Sequence, residues 1–293
     1  MIEILIPHYG DEALLREAVA SVLAQTDPRW RLRIVDDLPT SSVSSWACGL
    51  PENVSYEANP VRLGVAGNFQ RCLERAVSDW VVFMGCDDRL LPHYVGRIHS
   101  LIEDFPQSDA VLPGVDIIDR AGARHLPAAD RVKRLLNPVK TSPILLGGEP
   151  LLASLMRGNW TYFPAMAWRR KAIAETGFRQ DLDTTLDLAM LAEMVLVGGE
   201  LLVDPRPAFC YRRHAASASS VTAANSVRFL EEQRLFDELS RKSQRIGWVR
   251  ASRAARSHLT SRLHAAALIP RAMRGRDGPL LLALVRHAFR DWR

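Results

Sequence analysis

The sequence predicts an α/β fold: a mostly parallel sheet with helices on both faces, followed by a helical C-terminal region. Three observations lead there. Apolar runs of strand length alternate with amphipathic helical stripes through the first third of the chain. The run Trp80-Val81-Val82-Phe83-Met84-Gly85 is apolar on both alternating faces, as a strand covered on both sides must be. Two such strands end in adjacent aspartates, Asp36-Asp37 and Asp87-Asp88. In an open α/β sheet, the carboxyl ends of the strands are where ligands bind.

Taken in order, 2–6 is a short apolar strand. A helix follows over 11–25, with Leu14, Leu15, Ala18, Val19, Val22 and Leu23 as its stripe. Strands are expected at 31–35 and 54–58, and a helix over 65–77 with Phe69, Cys72, Leu73 and Ala76 on one face. The strand at 80–85 and a helix over 93–105 complete the alternating part, which implies right-handed crossovers. A strand is expected at 110–118, then a turn at Asp119-Arg120-Ala121-Gly122. Asn137-Pro138, Ser142-Pro143 and Gly147-Gly148 mark 131–150 as an irregular connection. A strand at 163–168, a helix over 185–197 stopped by Gly198-Gly199, and short strands at 201–203 and 209–212 follow. From 222 the pattern is helical, with breaks expected at Gly247, Pro270 and Gly278-Pro279. The division is therefore 1–221 for the α/β domain and 222–293 for the helical region.

Composition narrows the class. The chain of 293 residues has a formal net charge of +5, but residues 248–293 hold ten Arg and two Asp, for +8, leaving the rest at −3. No apolar run approaches the roughly 18 residues of a membrane span. The N-terminus reads as a first strand rather than a signal peptide. Cys48, Cys72, Cys86 and Cys210 are widely spaced without a C-x-x-C pair, which suits a reducing cytoplasm and argues against a cysteine zinc site. The basic residues form no recognisable nucleic-acid motif.

The two aspartate pairs carry the chemistry. Four carboxylates on one rim repel one another unless a cation or a donor-rich ligand joins them. The alternative for either pair alone is helix capping. Five motifs follow one another: Ile4-Leu5-Ile6-Pro7-His8-Tyr9, Ser21-Val22-Leu23-Ala24-Gln25-Thr26, Ile34-Val35-Asp36-Asp37, then Asn59, Gly64 and Asn68, and finally Gly85-Cys86-Asp87-Asp88 with Pro92 beyond. Their order resembles the family 2 glycosyltransferases, which have the GT-A fold.

The resemblance implies inverting transfer of a sugar from a nucleoside-diphosphate sugar of UDP, GDP or dTDP type to an acceptor hydroxyl. It places Pro7, Tyr9, Asp36, Asp37, Arg62, Asn68 and Asp87 on the nucleotide, with Asp37 reading the base. It gives Asp88 a Mg2+ or Mn2+ ion, with His214 as a further ligand. The general base is implied at Asp187, opening a helix after Gly177-Phe178-Arg179-Gln180-Asp181; Asp181 and Asp183 are alternates in that loop. Cys210-Tyr211-Arg212-Arg213-His214, followed by Ser217, Ser219 and Ser220, resembles a segment whose Arg or His reaches the diphosphate or metal. Trp160, in Asn159-Trp160-Thr161-Tyr162, offers a ring to a sugar or acceptor, against the ordinary reading of a core aromatic. Two departures stand out: Gly85 occupies a position often acidic in the family, and Leu38-Pro39-Thr40-Ser41 replaces the usual small-residue turn.

A non-catalytic nucleotide-sugar binder is the alternative in another class, and a sugar-phosphate nucleotidyltransferase the alternative enzyme. The Arg-rich tail fits packing or homodimerisation, or contact with anionic lipid at the inner face of the membrane. The expected location is cytoplasmic.

Overall fold

A computed structural model describes residues 1–214, 226–275 and 277–289. Its strands are β1 (Ile2–His8), β2 (Trp30–Asp36), β3 (Val54–Ala58), β4 (Trp80–Phe83), β5 (Arg89–Leu90), β6 (Ala110–Ile118), β7 (Ile144–Gly147), β8 (Ala167–Arg169) and β9 (Glu200–Arg212). The helices of the α/β part are α1 (Glu12–Leu23), α2 (Ser41–Ala47), α3 (Gly64–Arg75), α4 (Tyr94–Asp104), α5 (Ala128–Leu136), α6 (Gly148–Arg157), α7 (Arg170–Ala174) and α8 (Leu186–Leu196). Four more follow: α9 (Ser226–Arg245), α10 (Val249–Ser257), α11 (Leu259–Arg274) and α12 (Gly278–Phe289).

The described strands form one sheet in the order β3-β2-β1-β4-β8-β6-β9-β5, with β7 also paired to β9. The long ladders are parallel: β1 with β2, β2 with β3, and β6 with β9. β8 runs antiparallel between β4 and β6. β1 lies at the centre of the parallel part, and its apolar sequence is buried on both faces. The one charged residue inside it, Glu3, is fully buried and satisfied by the Val77 and Ser78 N–H groups and by Arg33. Five aromatic rings, Phe69, Phe83, Phe163, Phe178 and Trp168, tie α3, β4 and the loop before α8 into one cluster.

Several expectations need correction. The 131–150 segment is not an irregular connection: it contains most of α5, all of β7 and the start of α6. Its Pro and Gly residues punctuate these elements, since Asn137 caps α5 before Pro138 and Gly147-Gly148 turns β7 into α6. The strand expected at 163–168 is a 3-10 turn at Phe163–Ala165 followed by β8. The two short strands after 200 are one strand, β9, whose register shifts opposite Gly114. Helix α2, unanticipated, starts where Thr40 Oγ1 accepts the Val43 N–H. Pro270 sits inside α11 without ending it; the break falls instead at His258, in the left-handed region at φ 47°.

The expected boundary between 221 and 222 lies outside the described residues. The helical region does not stand apart from the sheet. Leu235, Phe236 and Leu239 of α9 and Ala251, Ala254 and Ala255 of α10 belong to the main core. A smaller cluster of Phe229, Ala265, Ala272, Leu284 and Ala288 joins α9, α11 and α12. No helix among the described residues is long and apolar enough to cross a membrane.

The β6–β9 contact sets one limit on sequence. A Cβ on Gly114 would lie 2.5 Å from the Pro205 carbonyl oxygen and 2.6 Å from the Arg206 carbonyl carbon. Both are backbone and cannot swing away. Gly114→Ala is therefore expected to destabilise the fold by about 1–3 kcal/mol, as overpacking does, readable as a lower midpoint in urea unfolding; an unchanged midpoint would contradict the close approach.

Candidate active site

The parallel register brings the ends of β1, β2 and β4 together. His8 lies opposite Asp36, and Leu5 opposite Phe83. Residues just beyond these ends, Tyr9, Asp37 and Gly85–Asp88, therefore share one rim. Pro7 is half-buried within β1 and carries the chain to Tyr9.

The first carboxylate pair divides its work. Asp36 is fully buried and accepts hydrogen bonds from His8 Nδ1 at 3.0 Å, Tyr56 Oη at 2.9 Å and the Leu38 N–H at 3.1 Å. Burial alone would raise its pKa, but the bonds from His8 and Tyr56 outweigh it and hold the carboxyl below its usual range. Asp36 is thus a brace among three strands. Asp37 reaches the start of α3, where its oxygens accept the Leu63 N–H at 2.7 Å and the Gly64 N–H at 2.9 Å. That helix has no side-chain cap of its own, so Asp37 serves as a remote one. Asn59 bridges Asp37 to Asn68, and Asn68 donates to the Val35 carbonyl at 3.1 Å. Asn68 is likewise a buried brace. Arg62, held in this loop, stacks on the exposed ring of Tyr9 at 4.5 Å, forming an open platform beside Asp37.

The second pair follows β4. Asp88 is 1% exposed, and its Oδ1 accepts the Arg212 N–H at 2.8 Å. Burial, and then the neighbouring charge of Asp87, push its carboxyl well above the usual 3.8. Asp87 is partly open and meets His214 Nε2 at 2.9 Å. Gly85 has a steric reason here: a Cβ at that position would lie 2.5 Å from Asp88 Oδ2, so any larger residue would displace Asp88.

Arg212 is buried, with a guanidinium that faces inward. Nε donates to the Asp87 carbonyl at 2.6 Å, Nη1 to the Arg120 carbonyl at 2.6 Å, and Nη2 to Glu17 of α1. The expected reach of Arg212 to a diphosphate is thus replaced by a role in shaping the Asp87–Asp88 loop. Trp160 is also internal, at 1% exposed, with Nε1 donating to Ser154 Oγ at 3.1 Å, so its ring faces are covered. Asp181 points outward at 66% exposure in a paired contact with Arg179, whose hydrogen bonds lower its pKa and make it a weak base. Ser217, Ser219 and Ser220 lie outside the described residues.

Asp187 occupies the first turn of α8, as expected. Its Oδ1 accepts the Leu188 N–H at 2.7 Å. Burial raises its pKa, partly opposed by that bond and by the charges of Lys133 and Arg228. The loop leading to α8 is anchored by Phe178, whose ring packs edge-on against Phe83 at 4.9 Å.

Two cations between the Asp88 and Asp187 sides were not anticipated. Arg213 pairs with buried Asp130 at 3.0 Å and lies 4.8 Å over Tyr211; its charge acts on both Asp88 and Lys133. Lys133 donates to the Thr161 carbonyl at 2.7 Å and sits 4.4 Å over Tyr162. Burial lowers its pKa to about 8. The available signal was the scarcity of lysine: only four of 38 basic residues are Lys, so one on the buried side of an amphipathic helix stands out.

No group of three or more His, Cys, Asp or Glu among the described residues is arranged to hold a metal. The pair Asp87 and Asp88 nevertheless fits a hard divalent cation that takes one or two carboxylates and completes its shell with phosphate oxygens and water. The observation that supports this fit is the burial of Asp88, 1% exposed, directly beside a second carboxylate, a juxtaposition that a cation would relieve.

That carboxyl makes a stability prediction. A raised carboxyl destabilises the folded state once pH exceeds 3.8, and the penalty grows until pH passes its folded pKa. In metal-free buffer, Asp88→Asn should therefore melt higher than the parent at pH 7, with the gain shrinking as pH falls toward 4. A lower melting temperature at pH 7 would contradict the assigned burial.

Comparison with known proteins places this arrangement. The family model for glycosyl transferase family 2 matches residues 3–178. A glycosyltransferase of Nostoc sp., itself uncharacterised, is 29% identical over 178 residues, covering 59% of this chain and 52% of that protein, so the chain spans about half of it. The succinoglycan biosynthesis protein ExoW of Rhizobium meliloti is 26% identical over 247 residues, covering 78% of this chain and 74% of ExoW. Among solved structures, S. aureus TarS 1–349 in complex with UDP-GlcNAc superposes with a TM-score of 0.63 at 16% identity, covering 97% of this chain and 90% of that one. At that identity the likeness speaks to the fold, which is GT-A. With more than half of its length matched by the family model and the strand-end carboxylates in place, the chain belongs to glycosyl transferase family 2 and is a glycosyltransferase.

Proposed function

We propose that the protein moves a sugar from a nucleoside-diphosphate sugar to an acceptor hydroxyl with inversion, using Asp187 as the general base. The observation that carries this reading is the rim itself: Tyr9, Asp37, Arg62 and the Asp87–Asp88 pair follow the carboxyl ends of the neighbouring strands β1 to β4, and His214, after β9, meets Asp87 there. The nucleoside would rest on Tyr9 and Arg62. Asp37 Oδ2 accepts the Gly64 N–H and keeps a second lone pair for a base N–H. S. aureus TarS binds UDP and UDP-GlcNAc, which makes uridine the first base to test. The ExoW likeness makes a saccharide the first acceptor class to test.

A divalent cation held by Asp88 and Asp87 would offset charge on the departing diphosphate. The remaining work falls to side chains. Arg212 keeps the Asp87–Asp88 loop in place from within. Arg213, oriented by Asp130, adds positive charge beside the same loop. Asp187 accepts the hydroxyl proton as the acceptor oxygen attacks the anomeric carbon from the face opposite the diphosphate. Its burial suits that task, because a base with a raised pKa takes a proton more readily. Lys133 favours the ionised form.

Asp187→Asn should lower kcat by about 10²–10⁴ while leaving the donor KM near the parent value. Turnover should fall on the acid side as Asp187 protonates, with the limb centred above 3.8. Lys133→Met should move that limb to higher pH, since it removes a charge that holds Asp187 down. EDTA should abolish transfer, and Mn2+ or Mg2+ should restore it. Near-parental turnover of Asp187→Asn would sink the base assignment, and full activity in EDTA would remove the metal from the scheme.

A further inference from the structure

We propose that Glu231, in the helical C-terminal region, is a positioning residue for the general base. The proposal rests on the reading of Asp187 above and adds a second component to it. Helix α8, which carries Asp187 in its first turn, has no side-chain cap from its own N-terminal residues. The missing acceptor comes from α9. Glu231 Oε1 accepts the Thr184 N–H at 2.8 Å, the Thr185 N–H at 2.7 Å and the Thr185 hydroxyl at 2.8 Å, and Oε2 accepts the Asp183 N–H at 3.1 Å. One carboxylate thus binds three consecutive backbone donors immediately before the helix. Glu231 is 8% exposed. Burial would push its carboxyl up, but these bonds outweigh it and keep the group ionised. Its negative charge also lies at the positive end of the α8 dipole.

Two further contacts show that α9 grips the whole segment. Arg179, in the loop that leads to Asp187, pairs with Glu238 at 2.6 Å. Glu193, two turns along α8, pairs with Lys242. The three α9 residues Glu231, Glu238 and Lys242 follow a helical spacing, so they sit along one side of α9 facing 179–193. Leu235, Phe236 and Leu239 of the same helix anchor it in the main core. The helical region therefore does more than cover the sheet: it fixes where the base stands. A loop displaced by about 1 Å can cost about 10²-fold in rate when it carries a reacting group.

The test is a kinetic and binding comparison on the full chain. Glu231→Ala should lower kcat for transfer by about 10²-fold, while the affinity for UDP, whose contacts lie on the Tyr9, Asp37 and Asp88 side, stays unchanged. Glu231→Gln retains Oε1 and should recover most of the rate. In an Asp187→Asn background, Glu231→Ala should add little, because two residues that act through one step are not additive. If Glu231→Ala does not fold, Thr185→Val, which loses the hydroxyl contact alone, should show a smaller fall in kcat with the same unchanged UDP affinity. Parental kcat in Glu231→Ala beside an inert Asp187→Asn overturns this proposal alone. Equal losses of kcat and UDP affinity in Glu231→Ala overturn it too, as they denote general loosening. Full turnover in Asp187→Asn overturns the base reading and this proposal with it.

Discussion

Arg212 carries a full positive charge into the protein interior, and the candidate site is arranged around the ways that charge is satisfied. A buried guanidinium is tolerated only when its donors are all matched. Here they reach the Asp87 carbonyl after β4, the Asp119 and Arg120 carbonyls after β6, and Glu17 on α1. Its backbone N–H binds Asp88 directly. One residue near the end of β9 thus ties together three chain segments remote from one another in sequence. Arg212 thus holds the Asp87–Asp88 loop at two points, the Asp87 carbonyl and the Asp88 carboxylate, with Asp88 buried beside a second carboxylate.

Two of the acids proposed for chemistry, Asp88 and Asp187, share an electrostatic condition that the bracing acids Asp36 and Glu231 lack. Asp88 and Asp187 are both raised by burial, and neither has enough donors to reverse it. Asp36 and Glu231 are also buried, yet each accepts several hydrogen bonds and falls below its ordinary value. The contrast separates carboxylates left poised for a ligand or a proton from carboxylates that hold backbone in place. Two buried carboxylates with raised pKa values cost the fold stability, which is the usual cost of a preorganised site.

Much of this was legible in the sequence. The strands at 54–58 and 110–118 and the helix opening near Asp187 were readable because local periodicity and flanking turn residues agree there. The carboxylate pairs were readable because strand ends in such a sheet converge whatever the details. What periodicity could not show was the direction of side chains whose partners are remote. Arg212 and Trp160 occur in motifs that suggest ligand contact, but the fold turns both inward. Asp36 and Asp37 look equivalent as neighbours, yet one braces three strands and the other caps α3. Glu231 sits 46 residues from Thr185 in sequence, and no local pattern pairs them. The 131–150 segment was misread because Pro and Gly mark element boundaries as well as loops.

A nucleoside diphosphate and a divalent cation are proposed to occupy the rim formed by Tyr9, Arg62, Asp37, Asp87 and Asp88. Crystals soaked with UDP and Mn2+, with anomalous data collected for manganese, test it most directly. The expected result is an anomalous peak coordinated by Asp88 and by diphosphate oxygens, with the base stacked at Tyr9 and Arg62. A nucleotide bound away from these residues, or a manganese peak that does not touch Asp87 or Asp88, would contradict it.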